Sequence, residues 1–232
     1  FDNDDKPVHR HLGADSIRYE LEQSLKRLRT DYIDLYITHW QDPTTPVAET
    51  MGTLMELKAE GKIRAIGVSN VSPDDLKSYV AEGPVDAIQE KYSMLDRDIE
   101  DTLLPLCAEH GISTLSYSSL ALGLLSGKIG PDRTFDGDDL RIGDPRFSPA
   151  NREKIASLFD EIRPIAKSLD ATLAQLVIAW TLSQPGITYS LCGARNPEQA
   201  SENAVAGSLV LSPDQITKTG AAVGRYLKDM DA

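Results

Sequence analysis

The stretch YIDLYITHWQD, Tyr32 to Asp42, is an apolar run that ends in a histidine and passes straight into a polar loop. Period-2 alternation puts Ile33, Leu35, Ile37 and His39 on one strand face and Tyr32, Asp34, Tyr36, Thr38 and Trp40 on the other. Both faces are mostly large and apolar or aromatic, the pattern expected of a strand covered on both sides. His39 stands at its carboxyl end. Taken alone, such a histidine reads as a core or rim residue with a satisfied hydrogen bond, so its meaning depends on its neighbours.

Working outward, Ile17, Leu21, Leu25 and Leu28 recur at helical spacing before the strand, with Asp15 or Ser16 as the expected N-cap. After it, PVAETMGTLMELKAEGK predicts a helix with Val47, Met51, Leu54 and Leu57 inward and a stop at Gly61. IRAIGVSN is a second strand, and SPDDLKSYVAEG a helix entered at Ser72-Pro73 and closed by Gly83. VDAIQEKYSML is a third strand, IEDTLLPLCAEHG a helix, and ISTLSYSSL a fourth strand. Two helices, NREKIASLFDEIRPIAKSL and LAQLVIAWTLSQPG, precede a fifth strand, ITYSLCGA. PEQASENAVAG and SPDQITKTGAAVGRYLKDM complete the pattern as helices. Strands separated by helices imply right-handed crossovers and a parallel sheet, an α/β fold. No interdomain linker is visible, so residues 1–232 read as one domain. The segment at about 121–149 is too long for a plain connector and reads as a functional lid or a disordered stretch.

The composition is ordinary for a globular protein: 41% apolar, 26% charged, 232 residues in all. A formal charge of −12 argues against general nucleic-acid binding, which needs a basic stripe. Cys107 and Cys192 form neither a disulfide framework nor a zinc spacing, and suggest a reducing, cytoplasmic setting. No metal site is expected. The apolar runs are too short to span a bilayer, so no membrane partner is expected either. Oligomeric state is not readable.

The strand ends share a character. They carry His39; Ser69 and Asn70; Gln89; Tyr117 and Ser118; and Cys192 through Arg195. In a parallel βα barrel such ends converge on the face where sites are built. Asn70 and Gln89 offer amides that recognise another carboxamide through paired donor and acceptor. Tyr117 offers a flat face for stacking. GARNPEQASEN makes a glycine turn and a proline helix start whose N–H groups suit an anion, with Arg195 adding charge. A carboxamide reader, a stacking ring and a phosphate cradle together describe a nicotinamide dinucleotide site.

The stretches DYIDLYITHW, GKIRAIGVSN, IQEKYSML, YSSLALGLLSGK, LRIGDPRF and GARNPEQASEN, in this order and over nearly the whole chain, resemble the aldo-keto reductase superfamily. Within it they look closest to the bacterial branch that also resembles the potassium-channel β subunits. The resemblance implies a (β/α)8 TIM barrel that binds NADP(H) or NAD(H) without a Rossmann fold, and an oxidoreductase function. By resemblance His39 is the active-site histidine that orients the substrate carbonyl. Ser69, Asn70 and Gln89 match the carboxamide readers, and Tyr117 the ring stacked on the nicotinamide. Ser118, Ser119, Leu120, Ala121 and Leu122, with Lys128, match the loop over the pyrophosphate, and Arg141 lies near a basic position of that loop. Gly193, Arg195, Gln199, Glu202 and Asn203 match the adenosine-phosphate end. Trp40 and Tyr92 are candidate walls of the substrate pocket.

The same resemblance places the family's acid tyrosine, its partner lysine and an aspartate on strands preceding Tyr32, and they are not in this sequence. The five readable strands then correspond to barrel strands 4–8. The first three βα units, ~90 residues at ~30 each, are absent from it. The expected activity of the complete protein is NAD(P)H-dependent reduction of a small aldehyde, ketone or sugar carbonyl. The alternative is a nicotinamide-binding sensor or regulatory subunit with little turnover. Gly193 and Gln199 stand where another branch has basic residues. Arg141 and Arg195 remain for a 2′-phosphate, so NADP(H) is expected over NAD(H).

Overall fold

The computed structural model describes residues 10–228 and 230. They form two compact units, one built from residues up to Glu90 with Asp101–Thr114, the other from Lys91–Glu100 and Leu115 onward.

In the first unit α1 (Ala14–Leu28), β1 (Ile33–Thr38), α2 (Val47–Ala59), β2 (Ile63–Ser69), α3 (Pro73–Glu82), β3 (Ala87–Lys91) and α4 (Leu103–His110) alternate as the sequence predicts. The register is parallel, Ile33 opposite Ile63 and Thr38 opposite Val68, then Gly67 opposite Ala87 and Ser69 opposite Gln89. Ile17, Leu21 and Leu25 of α1 are buried at four-residue spacing, each contributing roughly 2 kcal/mol by leaving water. Gly67 is required by close packing. A Cβ there would meet Ile37 Cγ1 at 2.9 Å and the Ala87 carbonyl at 3.3 Å.

The second unit continues β4 (Ser113–Tyr117), pairs it in parallel with β5 (Tyr189–Ser190), and adds α5 (Pro149–Ser168), α6 (Leu173–Leu182), α7 (Pro197–Ala206) and α8 (Pro213–Tyr226). Its core gathers Leu124, Leu125, Ile155, Leu158, Leu176 and Trp180. Nine residues in a row of α6, Leu173 to Thr181, are buried, which makes it a core helix rather than an amphipathic one. No single described helix is long and apolar enough to cross a membrane.

Several expectations are corrected. β1 is only half-buried along most of its length, and Asp34 is exposed. Among the described residues β1 pairs only with β2, and its two faces are less fully covered than its apolar pattern predicts. Gly13, not Asp15 or Ser16, is the N-cap of α1, and Leu28, its last residue, is 64% exposed. The third strand stops at Lys91 and the fourth at Tyr117. The fifth shrinks to two residues: the Leu191 amide still donates to the Ser116 carbonyl at 2.8 Å, and the chain beyond it turns into α7. Helix α4 starts at Leu103 rather than Ile99. Nor is the 121–149 segment structureless. Short 3-10 turns at Ala121–Ser126 and Pro145–Phe147 frame it, and Phe135 packs edge-on to Phe147 at 5.6 Å. The early apolar residues Leu124 and Leu125 are fully buried.

Candidate functional site

The first unit gathers the strand-end set predicted for it. The Asn70 side-chain amide donates to the His39 carbonyl at 2.8 Å and to Ser69 Oγ at 3.1 Å. Ser69 Oγ in turn donates to the Gln89 carbonyl at 2.7 Å. Asn70 holds a positive φ of 55°, a left-handed conformation that asparagine tolerates better than most residues. His39 is exposed, and Trp40 is 42% exposed with its ring 6.0 Å from the imidazole. Ser69, by contrast, is fully buried. In this arrangement it spaces the Asn70 and Gln89 amides rather than facing outward.

Four residues of this region were not singled out by sequence reasoning. Asp42 accepts from the amides of Leu12 and Thr44 and from the Thr44 and Thr45 hydroxyls at 2.6–2.9 Å. The Thr44 and Thr45 hydroxyls, helped by the Leu12 amide, hold its carboxyl far below the usual carboxylate range. It thereby fixes the loop that follows His39. The signal was available, since Asp-Pro-Thr-Thr is a side-chain-capped turn pattern. Gln41 Nε2 donates to the Ser69 carbonyl at 3.0 Å, and the Arg10 guanidinium lies over the Trp40 ring at 4.4 Å. The fourth is Glu90, 6% exposed, whose Oε1 accepts from the Val71 amide at 2.9 Å. Burial pushes its carboxyl up to about 7, against the lowering effect of the Val71 and Asn70 amides. Parity announced it, because Glu90 shares a strand face with the fully buried Ile88.

In the second unit Tyr117 is half-buried at the end of β4, and Ser118, Ala121 and Leu122 all have positive φ, at 58°, 45° and 53°. Three such non-glycine residues within five positions mark a turn imposed by its surroundings. Ser119 is buried and accepts from Ser190 Oγ at 2.7 Å; Leu120 is half-buried and Ala121 buried, whereas Leu122 is 52% exposed. Lys128 pairs with Glu202 at 3.0 Å. Asn203 Nδ2 donates to the Gly193 carbonyl at 3.2 Å, and Gln199 Oε1 accepts from the Arg195 amide at 2.9 Å. Gly193, Arg195, Gln199, Glu202, Asn203 and Lys128 thus form three polar pairs around the start of α7.

At the start of α7, where N–H groups open to an anion were expected, two amides are engaged within the protein. Asn196 caps the Gln199 amide at 2.8 Å, and Gln199 occupies the Arg195 amide. Arg141 is also committed. Its guanidinium pairs with Asp139 and lies 4.4 Å from the Phe135 ring centroid. The Arg141 side chain and backbone hold the Asp139 carboxyl down at about 2, and Arg195 adds to the effect. Tyr92 is the clearest correction. It is fully buried, and its hydroxyl donates to Glu100 at 2.6 Å. Glu100 also takes the Arg97 guanidinium at 2.7 and 2.8 Å. Burial and the adjacent carboxylate raise the Tyr92 phenol above its ordinary range. Tyr92 braces the turn after β3 and does not line an open pocket.

Comparison with known proteins follows the same residues. Residues 3–223 match the profile of the Aldo/keto reductase family. The chain is 42% identical over 216 residues to the NADH-specific methylglyoxal reductase of Escherichia coli, covering 92% of the chain and 66% of that protein. It is 42% identical over 193 residues to a Bacillus subtilis aldo-keto reductase, 83% of the chain and 58% of the relative. The chain therefore spans somewhat less than two thirds of the length of these relatives. Among solved structures, the glycerol dehydrogenase of Gluconobacter oxydans superposes with a TM-score of 0.92 at 34% identity, covering 100% of this chain and 71% of that one. A Klebsiella pneumoniae aldo/keto reductase in complex with NADP and acetate gives 0.71 at 30% identity, covering 95% and 68%.

Proposed function

The chain belongs to the aldo/keto reductase family, and from that premise we propose that the protein reduces a small aldehyde, ketone or sugar carbonyl to the alcohol with NAD(P)H. The observation that carries this reading is the strand-end set of the first unit. There Asn70 and Gln89, two amides able to read a carboxamide, are joined through Ser69 and tied to the main chain of His39. We read the five strands as strands 4–8 of a (β/α)8 barrel and the two units as parts of one domain. The parallel register and the superposition on solved relatives support this.

The residues present fit a nicotinamide cofactor. Asn70 and Gln89 supply paired donor and acceptor. Tyr117 supplies a ring at a strand end, and Ser118–Leu122 a turn in which Ser118, Ala121 and Leu122 hold positive φ. Lys128 and Arg195 supply positive charge. Bound there, the nicotinamide would supply the hydride. The chain's own part is to hold and orient: His39 directs the carbonyl oxygen, and Trp40 offers an apolar wall. We read Arg195, rather than Arg141, as the residue that would meet a 2′-phosphate. The commitment of Arg141 to Asp139 weakens the expected preference for NADP(H), as does the name of the Escherichia coli relative.

Fluorescence titration of the complete protein with NADH and NADPH, followed by steady-state assay on a panel of aldehydes and ketones, tests this. Binding with turnover is the expected result. Binding without turnover would favour the sensor reading, and no binding of either cofactor would overturn both.

A further inference from the structure

A buried acid lies directly behind the proposed carboxamide reader. Glu90 belongs to β3, is 6% exposed, and accepts from the amide of Val71 at 2.9 Å. The Asn70 amide donates to the Gln89 carbonyl at 3.3 Å and also favours the charged form of Glu90. These two amides flank the one residue of the β2 end that adopts a left-handed conformation, Asn70 at φ 55°. A carboxylate removed from water gains only if such donors face it. The side chain of Asn70 adds a second constraint, since its Nδ2 donates to the His39 carbonyl at 2.8 Å and to Ser69 Oγ at 3.1 Å. Both side-chain donors are thus engaged within the protein, and on the carboxamide reading given above it is Oδ1 that would face the N–H2 of a carboxamide.

We propose that Glu90 is a positioning residue which, by holding the Asn70–Val71 backbone, aims the Asn70 amide at the carboxamide of the nicotinamide. The inference rests on the reading of Asn70 as a carboxamide reader given above. Glu90 touches neither cofactor nor substrate. Its effect is confined to the geometry of one contact, and that separates it from a general structural role.

The test compares two reduced cofactors in equilibrium titrations of the complete protein: NADH, and its 3-acetylpyridine analogue, which keeps the carbonyl oxygen and lacks the N–H2. The unmodified protein should prefer NADH by roughly tenfold, about the effect of one hydrogen bond. Asn70→Ala should bring that ratio close to one. Glu90→Leu should do the same, and the double variant should lose no more than either alone. Glu90→Gln keeps an acceptor for the Val71 amide and should retain most of the ratio. If Glu90→Leu fails to fold, Glu90→Asp takes its place with the same expected direction, because the shorter chain draws the carboxylate away from the turn. A ratio unchanged in the Glu90 variant, with both cofactors weakened alike, overturns the proposal and leaves the carboxamide reading intact. A ratio unchanged in Asn70→Ala overturns the reading and the proposal together.

Discussion

The side-chain amide of Asn70 lies 2.8 Å from the main-chain carbonyl of His39, so a side chain, and not the ladder alone, ties the ends of β1 and β2. Two effects meet in this residue. Its hydrogen bonds are worth about 1 kcal/mol each, and a left-handed backbone costs an alanine about 1–2 kcal/mol more than a glycine. Asn70→Ala should therefore lose roughly 2–3 kcal/mol in chemical denaturation, and Asn70→Gly about 1 kcal/mol less. Equal losses would show that the backbone conformation carries no cost at this position.

Tyr92 gives the opposite case, a residue with a site-like type and a bracing role. Tyr92→Phe keeps the packing and removes one bond to Glu100, which retains Arg97. A loss of about 1 kcal/mol of stability is expected, with cofactor affinity and turnover unchanged. A change in KM for the carbonyl substrate at unchanged stability would restore Tyr92 to the pocket wall.

How far the sequence revealed this can be followed residue by residue. The βα order was legible because helices carry a 3.6-residue stripe, as at Ile17, Leu21 and Leu25, and strands a two-residue one. The strand-end polar residues followed from that order. Where strands stop was not legible. Period two runs on through Tyr92 and Leu120, but the ladder ends where a partner strand ends, and partners are a tertiary property. Burial of Tyr92 was hidden for the same reason, since its hydroxyl needed an acceptor eight residues away that only the turn brings near. Leu28 shows that a stripe says which side is apolar and not where the cover stops. Asp139 was overlooked because in an acid-rich loop only folding selects which acid meets Arg141.

That acid carries a prediction about cofactor choice. Asp139 is paired with Arg141 and lies within the electrostatic reach of Arg195, so it competes with any phosphate brought to these arginines. Asp139→Asn removes a negative charge from their vicinity. NADPH binding should tighten by roughly tenfold, with NADH little changed, and the gain should shrink as salt is raised. Arg195→Ala should cost NADPH more than NADH. Should both variants shift the two cofactors equally, neither residue meets a 2′-phosphate.

Glu90 makes the stability of the protein depend on pH in a way its other shifted carboxylates do not. Its carboxyl is raised by burial to about 7 from an ordinary 4.5. Below the ordinary value both folded and unfolded chains hold the proton, and the contribution is fully present. Between 4.5 and 7 the folded chain still holds a proton that the unfolded chain has released, so stability falls as pH rises and levels off above about 7. The steepest possible slope is about 1.4 kcal/mol per pH unit for one proton. Glu60 and Glu202 are shifted downward by their basic partners, and Glu100, against the raising effect of burial, by Arg97 and Tyr92. Their contributions have the opposite sign, being present above the ordinary glutamate range and lost as pH falls below it. Cys107, the titratable neighbour that feels the Glu90 charge, is pushed by burial up to about 11, outside this window. Urea denaturation of the unmodified protein and of Glu90→Gln from pH 4 to pH 8 isolates the effect. The difference in stability between the two should move in favour of the variant from about pH 4.5 to about pH 7, then stay constant. A difference independent of pH over that range would mean that Glu90 is ionised throughout, with the Asn70 and Val71 amides outweighing its burial.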